Sequence, residues 1–493
     1  MTVLPIVDDP DAFVWIGGRR HSPSGGEAFA SISPATQDVV GSVARGSADD
    51  ISAAYAAAAE AFPAWSRRPM IERIDILNAF ADQIVARGAE LAAIDVQDNG
   101  SPIVEMINDV NLALSWIRYF TGAVYQLRGE TIPTVADRLT YTTHEPYGVV
   151  GRIIPFNHPF MFAASKIAAP LITGNTIVLK PSEHTSLSAL WMAELTADIL
   201  PPGVLNVVTG FGTEAGDALV RHPGIRRLAF IGNANTGRRI QAAASEVCVK
   251  HVTLELGGKN PIIVLPTANL DQAVAGAVRG MNFTWQGQSC GSTSRLIVHA
   301  EIHDEFIDKL VGKVDSLRSG LPSDPTTQTG AIVSQQQFDK VMSYIELGKA
   351  EGAELVAGGN RVVDAPLDRG WFVRPTVFDG VTTDMRLANE EIFGPVLSVM
   401  TVTSDEQALE VANSVQLGLT ASVYTQDLRT AHRFARDLQA GYVWVNETSR
   451  HFTGVPYGGF KDSGVGREEG FEELESYMLT KSVNINYSDP DAA

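Results

Sequence analysis

GVVGRIIP (148–155), NTIVLK (175–180), GVLNVVTG (203–210) and RLAFIG (227–232) are the runs that decide the fold of this chain. Each is short and rich in β-branched residues, and helical stretches lie between them. Strands alternating with helices predict parallel sheets in an α/β architecture. The series restarts after Gly257-Gly258 with PIIVLP (261–266) and SRLIVH (294–299). It goes on in VLSVMTV (396–402), LTASVYT (419–425) and YVWVN (442–446). The restart predicts two α/β domains with a boundary at the glycine pair. Upstream, from about Ser47 to Asn99, ISAAYAAAAEAF (51–62) and MIERIDILNAFADQIVARGAELAAI (70–94) set apolar residues three and four apart, which predicts helices. No fixed-period repeat or low-complexity segment interrupts this order.

The length, 493 residues, suggests two to four folding units, and 45% apolar against 19% charged residues is enough to build large cores. Disorder is excluded on that basis. Lys and Arg number 38 against 57 Asp and Glu, a net charge of −19 that repels phosphate backbones and anionic lipid. Neither nucleic acid nor membrane is therefore expected as a partner. The longest uncharged runs fall short of the ~20 apolar residues of a spanning helix. MTVLPIVDDPDAF at the start has early acids and no basic segment, so it does not read as a signal peptide. Two cysteines, Cys248 and Cys290, cannot make a disulfide framework, and a reducing, cytoplasmic setting is expected.

Several segments carry candidate chemistry. Gly210-x-Gly212-x-x-Ala215, with Gly216 beyond it, fits a loose dinucleotide fingerprint. The acid this motif needs about twenty residues on is missing, for no Asp or Glu stands between Asp217 and Glu246. Lys180-Pro-Ser-Glu183 offers another acid at the C-terminal end of strand NTIVL, the edge where open α/β sheets bind ligands. Gly232-Asn-Ala-Asn-Thr-Gly237 follows strand RLAFI and offers amide groups to a pyrophosphate, or is simply a tight turn. Cys290 lies in the polar, Gly-flanked run WQGQSCGS (285–292), which reads as an exposed loop where a thiolate meets a substrate. Cys248, in AAASEVCVK (242–250), reads as an inert residue of a helix. Glu255 stands between leucines, either desolvated for use as a base or buried in a pair with Lys259. His299 and His303, the one close histidine pair, read as solvated surface rather than a metal site, and no metal is expected.

These segments together resemble the aldehyde dehydrogenase superfamily. The residues that carry the resemblance are Phe156-Asn157-His158-Pro159, Leu254-Glu255-Leu-Gly-Gly-Lys259, Gly287-Gln-Ser-Cys290, Glu390-Glu391-Ile-Phe393-Gly-Pro395 and PYGGFKDSGVGRE (456–468). They occur in the family's order from about Tyr147 to Glu468. The resemblance implies a Rossmann-like coenzyme domain (1–124 and 148–257), an α/β catalytic domain (258–470) and a small β oligomerisation element (125–147 and 471–493). It also implies a homodimer or homotetramer. The alternating SVNINY (482–487) would be an exposed edge unless a second subunit covered it.

The resemblance further implies a reaction. Cys290 attacks an aldehyde, the Asn157 amide and the Cys290 N–H hold the oxyanion, NAD accepts hydride, and Glu255 activates the water that hydrolyses the thioester. Lys166 and Glu468 match relay positions. The coenzyme positions are Ile154, Pro155, Phe156, Asn157, Lys180, Ser182, Glu183, Gly212, Gly216, Phe230, Gly232, Asn233, Leu256, Glu391 and Phe393. NADP is expected to serve less well. His158, Phe162, Trp285, Arg450, His451 and Tyr457 match substrate positions, and their aromatic character suits an aromatic or medium-length neutral aldehyde. Ser165, where many members carry an aromatic residue, leaves room for bulk. The rival readings are a semialdehyde dehydrogenase using Arg450 for the carboxylate, a CoA-acylating enzyme, a non-catalytic structural member, and a cysteine hydrolase without cofactor.

Overall fold

The computed structural model describes residues 11–488. The leader reading of the first residues and the extreme ends of the first domain and of the oligomerisation element (1–10 and 489–493) lie outside them. An eight-stranded sheet runs in the spatial order Arg19–His21, Val14–Ile16, Leu205–Val207, Thr176–Lys180, Val149–Ile153, Arg227–Ile231, His251–Glu255, Gly464–Val465. Its five central strands are parallel, and four of them lie within the quoted runs. The chain then crosses, between Glu255 and Pro261, to a seven-stranded sheet ordered Glu354–Ala357, Thr376–Asp379, Val396–Val402, Arg295–His299, Pro261–Val264, Thr420–Tyr424, Tyr442–Val445. Both sheets are covered on both faces, as parallel sheets must be. In the second, Ile262, Val264, Leu296 and Val298 enter one core, while their neighbours Ile263 and Ile297 enter the opposite one.

The predicted upstream helices are Ala48–Arg67 and Met70–Asp98. Ser47 caps the first, accepting from the N–H groups of Asp49 and Asp50 while Asp50 accepts in return from the Ser47 N–H. A third helix, Ile103–Ala123, packs on the second of them and carries residues of the site described below. No helix among the described residues is long and apolar enough to cross a membrane.

Strand Met478–Asn486 pairs antiparallel with Arg138–Pro146 over nine positions, and Thr131–Ile132 adds a third strand. The last strand is longer than SVNINY alone predicts. Leu139, Leu479, Ile485 and Tyr487 on this small sheet are exposed. One connection is not local at all. Gly464–Val465, far along the chain, returns to the first sheet and pairs with Leu254 and Glu255.

Candidate active site

The loop bearing Cys290 is shaped by left-handed residues at Asn282 (φ 54°) and Gln286 (φ 53°), which bracket a single tight turn. The polar run is not exposed, contrary to its sequence reading. Gln286 and Gln288 are buried because their amides are satisfied: Ser101 Oγ donates to Gln286 Oε1 at 3.2 Å, and the Val333 N–H donates to Gln288 Oε1 at 3.2 Å. Asn260 fixes the next stretch, donating from Nδ2 to the carbonyls of Cys290 (2.7 Å) and Ser292 (3.0 Å). Gly258 makes this possible, since a Cβ there would lie 2.6 Å from the Cys290 carbonyl oxygen. The Cys290 thiol meets the Tyr457 hydroxyl at 3.9 Å, and burial pushes it up to about 12 despite that contact.

Glu255 ends strand His251–Glu255 beside this loop. Both of its carboxyl oxygens are buried without a partner, and burial, then the Glu468 anion, pushes it well above the carboxylate range. The pair with Lys259 does not form. Lys259 Nζ is itself buried and unpartnered, and burial lowers it to about 7. Glu468 is the opposite case. Burial raises it, but Arg152 (2.7 Å) and Lys166 (2.8 Å) win and hold it down to about 2.

Two cavities meet at Cys290 and Glu255. One opens at the C-terminal ends of Val149–Ile153 and Arg227–Ile231, lined by Pro155, Phe156, Asn157, Gly232, Asn233, Glu391 and Phe393. Asn157 Oδ1 is buried there with no partner. Glu391 approaches so closely that a Cβ on Gly257 would lie 2.0 Å from its Oε2, and the Gly258 N–H donates to its Oε1 at 3.0 Å. Phe393 holds φ 58°, a strained value for an aromatic residue, with its ring edge-on to Phe156 at 5.6 Å. Asn233 caps helix Ala234–Val247, so that helix's N-terminus faces the cleft. Lys180 Nζ and Glu183 stand 3.8 Å apart at the end of strand Thr176–Lys180, and a Cβ on Gly216 would lie 3.5 Å from the Lys180 side chain. Gly212 opens the turn that ends at Gly216, and Ser182 Oγ accepts from the His184 N–H. Ile154, Phe230 and Leu256 are buried in the cores and do not line this cavity. An acid for ribose hydroxyls, a helix terminus for a pyrophosphate and a flat aromatic wall make a donor set that fits a dinucleotide.

The second cavity brings together His158, Phe162, Lys166, Trp285, His451, Tyr457 and Glu468. Arg450 is not among them. It is 65% exposed, turned to Glu447 at 3.5 Å and stacked over Phe452, so no carboxylate-binding cation lines this wall from that position. Ser165 is buried outside the cavity and donates to the Met161 carbonyl at 2.6 Å. Cys248 is not within a helix but just beyond the end of Ala234–Val247, half-buried, with its thiol 3.7 Å from the Pro223 carbonyl. The His299–His303 reading also changes: His299 is buried, and His303 lies between Asp304 and Asp379.

Sequence reasoning missed Gln337 and Lys340 of the coenzyme-side cleft, and Asp109, Leu112, Trp116 and Glu469 of the second cavity. For Asp109, Leu112 and Trp116 the signal existed, since they fall three and four residues apart on helix Ile103–Ala123.

Known proteins resemble this chain over nearly its whole length. The profile of the aldehyde dehydrogenase family matches residues 21–483. The aldehyde dehydrogenase tropH of Talaromyces stipitatus is 43% identical over 490 residues, 98% of this chain and 94% of its own. An aldehyde dehydrogenase of Bacillus cereus solved with NAD+ superposes with a TM-score of 0.95 at 41% identity, covering 98% of each chain. The indole-3-acetaldehyde dehydrogenase AldA of P. syringae, solved as a cysteine-to-alanine mutant with NAD+ and IAA, gives 0.94 at 38% identity over 96% of each chain.

Proposed function

Since the chain belongs to the aldehyde dehydrogenase family, and is an NAD-using enzyme of it, we propose that it oxidises a neutral aromatic or medium-length aldehyde to the acid through a Cys290 thioester. What carries this reading is that Cys290 and Glu255 are shared by both cavities, so coenzyme and aldehyde can meet only there. The thiol is protonated at neutral pH, and its attack on the aldehyde carbon needs a base as the S–C bond forms. Glu255, unpartnered and raised above the carboxylate range, is suited to take that proton. The Asn157 amide holds the oxyanion, in a role worth about 3–4 kcal/mol. NAD, when bound, supplies the acceptor for the hydride that leaves the carbon. Lys166 and Glu468 pass the thiol's proton outward, which frees Glu255 to take a second proton from the water that displaces the acid from the Cys290 sulfur.

The second cavity's Trp116, Phe162, Trp285 and Tyr457 support an aromatic substrate, as does the likeness to an indole-3-acetaldehyde dehydrogenase. Exposed apolar residues on the small sheet support pairing of two or four subunits, and two free cysteines fit a cytoplasmic setting. The test is NADH formation with aliphatic, aromatic and semialdehyde substrates in the wild type and in Cys290→Ala. Oxidation of aromatic aldehydes that disappears in the variant is expected. Activity only with semialdehydes, or activity that survives Cys290→Ala, overturns the reading.

A further inference from the structure

Two histidines of the aldehyde cavity share an arrangement that the reaction does not use. His158 Nδ1 lies 2.8 Å from Asp109 Oδ2, and His451 Nδ1 lies 2.9 Å from Glu469 Oε2. The Asp109 side chain is fully buried and that of Glu469 is 7% exposed. Carboxylates accept hydrogen bonds, so each Nδ1 carries the proton and each ring is fixed in rotation. Aromatic neighbours hold them further: Trp285 at 5.5 Å from His158, Tyr457 at 4.6 Å from His451. Neither Nε2 bonds to any described residue. Each is a fixed polar point in a wall that is otherwise largely aromatic and aliphatic.

We propose that these two carboxylate-held imidazoles recognise a hydroxyl on the tail of the substrate, so that the preferred aldehyde is a hydroxylated aryl aldehyde rather than a plain hydrocarbon one. This rests on the reading of the Cys290 cavity as the aldehyde site. A hydroxyl donates to a neutral Nε2 and accepts from a protonated one, so it fits either state of the ring. An anionic tail is disfavoured, because Asp109, Glu255, Glu468 and Glu469 line the cavity and its one lysine, Lys166, is committed to Glu468 and Glu473. An ammonium gains little, because the carboxylates nearest the tail stand behind the imidazoles. Sites built to bond a hydroxyl discriminate against analogues that lack it, because the polar group is then left unpaired.

The test compares kcat/KM for 4-hydroxyphenylacetaldehyde, phenylacetaldehyde and 4-methoxyphenylacetaldehyde, in which a methylene keeps the ring substituent from altering the carbonyl. The expected preference for the hydroxyl compound is about tenfold, or 1.4 kcal/mol. It collapses in His158→Phe or His451→Phe and is partly restored by Gln at the same position, whose amide reaches where Nε2 stood. The Kd ratio of the same compounds, read by tryptophan quenching in Cys290→Ala, decides the matter independently of turnover. If a Phe variant does not fold, Asp109→Asn or Glu469→Gln, which keep the ring, replaces it and must lower the ratio. Ratios near one in the wild type, ratios unmoved in all variants, or a preference for 3-aminopropanal overturn the inference. Oxidation of all three compounds without preference sinks this inference alone, whereas oxidation of none sinks the proposed function.

Discussion

Asn260 is the residue whose loss separates positioning from chemistry. It is buried, its side chain lines neither cavity, and it satisfies three backbone groups. Nδ2 serves the carbonyls of Cys290 and Ser292, and Oδ1 accepts from the Thr420 N–H at 3.0 Å. Asn260→Ala strips all three of their partner. A buried polar group left unsatisfied costs about 1–3 kcal/mol, so the low end for three is about 3 kcal/mol. In a domain of 150–250 residues each kcal/mol moves Tm by about 2–4 °C, which gives a fall of about 6–12 °C. The thiol loop loses its anchor to strand Pro261–Val264 at the same time. Misplacement of a reacting group by about 1 Å costs on the order of 10²-fold, so kcat should fall by about that factor while the Kd for NAD holds. Differential scanning fluorimetry, steady-state kinetics and an NAD titration read the three quantities. A variant within about 2 °C of the wild type, with kcat changed less than about twofold, would refute the claim that this amide holds the nucleophile in place.

Four further outcomes are expected. Cys290→Ala should lose dehydrogenase activity and keep NAD binding, while Cys248→Ala, beyond its helix end, should keep activity; comparable losses would remove the distinction. Glu255→Gln should lose both the first-turnover NADH burst and steady-state turnover, since an amide takes no proton from the thiol or from water; a full burst followed by slow turnover would confine Glu255 to thioester hydrolysis, and an unchanged steady state counts against Glu255 as the base. Glu468→Gln takes the carboxylate from buried Arg152, which keeps only the Tyr477 hydroxyl, and leaves Lys166 with Glu473 alone at 3.7 Å, at about 3–5 kcal/mol in urea unfolding at neutral pH. Because Glu468 sits at about 2 in the fold against 4.5 ordinarily, its contribution is present above 4.5 and is lost as pH falls toward 2, so the two proteins should converge in acid; a gap independent of pH would be the wrong result. NAD should exceed NADP in kcat/KM by about tenfold or more, because a like-charge contact near 4 Å costs about 4 kcal/mol at an effective dielectric of 20; a ratio that Glu183→Gln does not move excludes this carboxylate as the selector.

The strands were legible because their signal is local. Parallel strands buried on both faces read as continuous apolar runs, and four of the five central strands of the first sheet could be picked out from residues alone. The fifth, His251–Glu255, is broken by a histidine, a threonine and the glutamate, and so lacks that signal. Helix Ala48–Arg67 announced itself by its apolar spacing. What escaped depended on contacts distant in the chain. Gly464–Val465 is too short to read as a strand, yet it flanks Glu255 across more than two hundred residues. Gln286 and Gln288 looked like surface because their partners, Ser101 and Val333, lie elsewhere in sequence. Glu255 and Lys259 read as a possible pair, yet the strand ends at Glu255 and both groups are buried without a partner. The Asp109–His158 contact spans 49 positions and joins a helix to a loop, so neither residue signals the other.

Three glutamates converge on the cavity, and their partners, not their burial, set them apart. Desolvation penalises the anion of any buried carboxylate. Glu468 escapes it through Arg152 and Lys166, and Glu469 accepts from His451, whereas Glu255 has no cation or donor on either oxygen. The Glu468 anion then adds to the pressure on Glu255, raising it further. Glu255 is therefore an acceptor whose affinity for a proton has been raised, and it stands at the junction of the two cavities. The ion cluster that holds Glu468 charged thus serves two ends. It ties strand Val149–Ile153 and Lys166 to the C-terminal segment, and its anion raises Glu255. Glu468→Gln should show both effects at once, a less stable fold and an acid limb of kcat/KM displaced to lower pH as Glu255 relaxes toward an ordinary carboxylate. If stability falls and the acid limb stays where it was, the coupling between the two glutamates is absent and Glu255 is raised by burial alone.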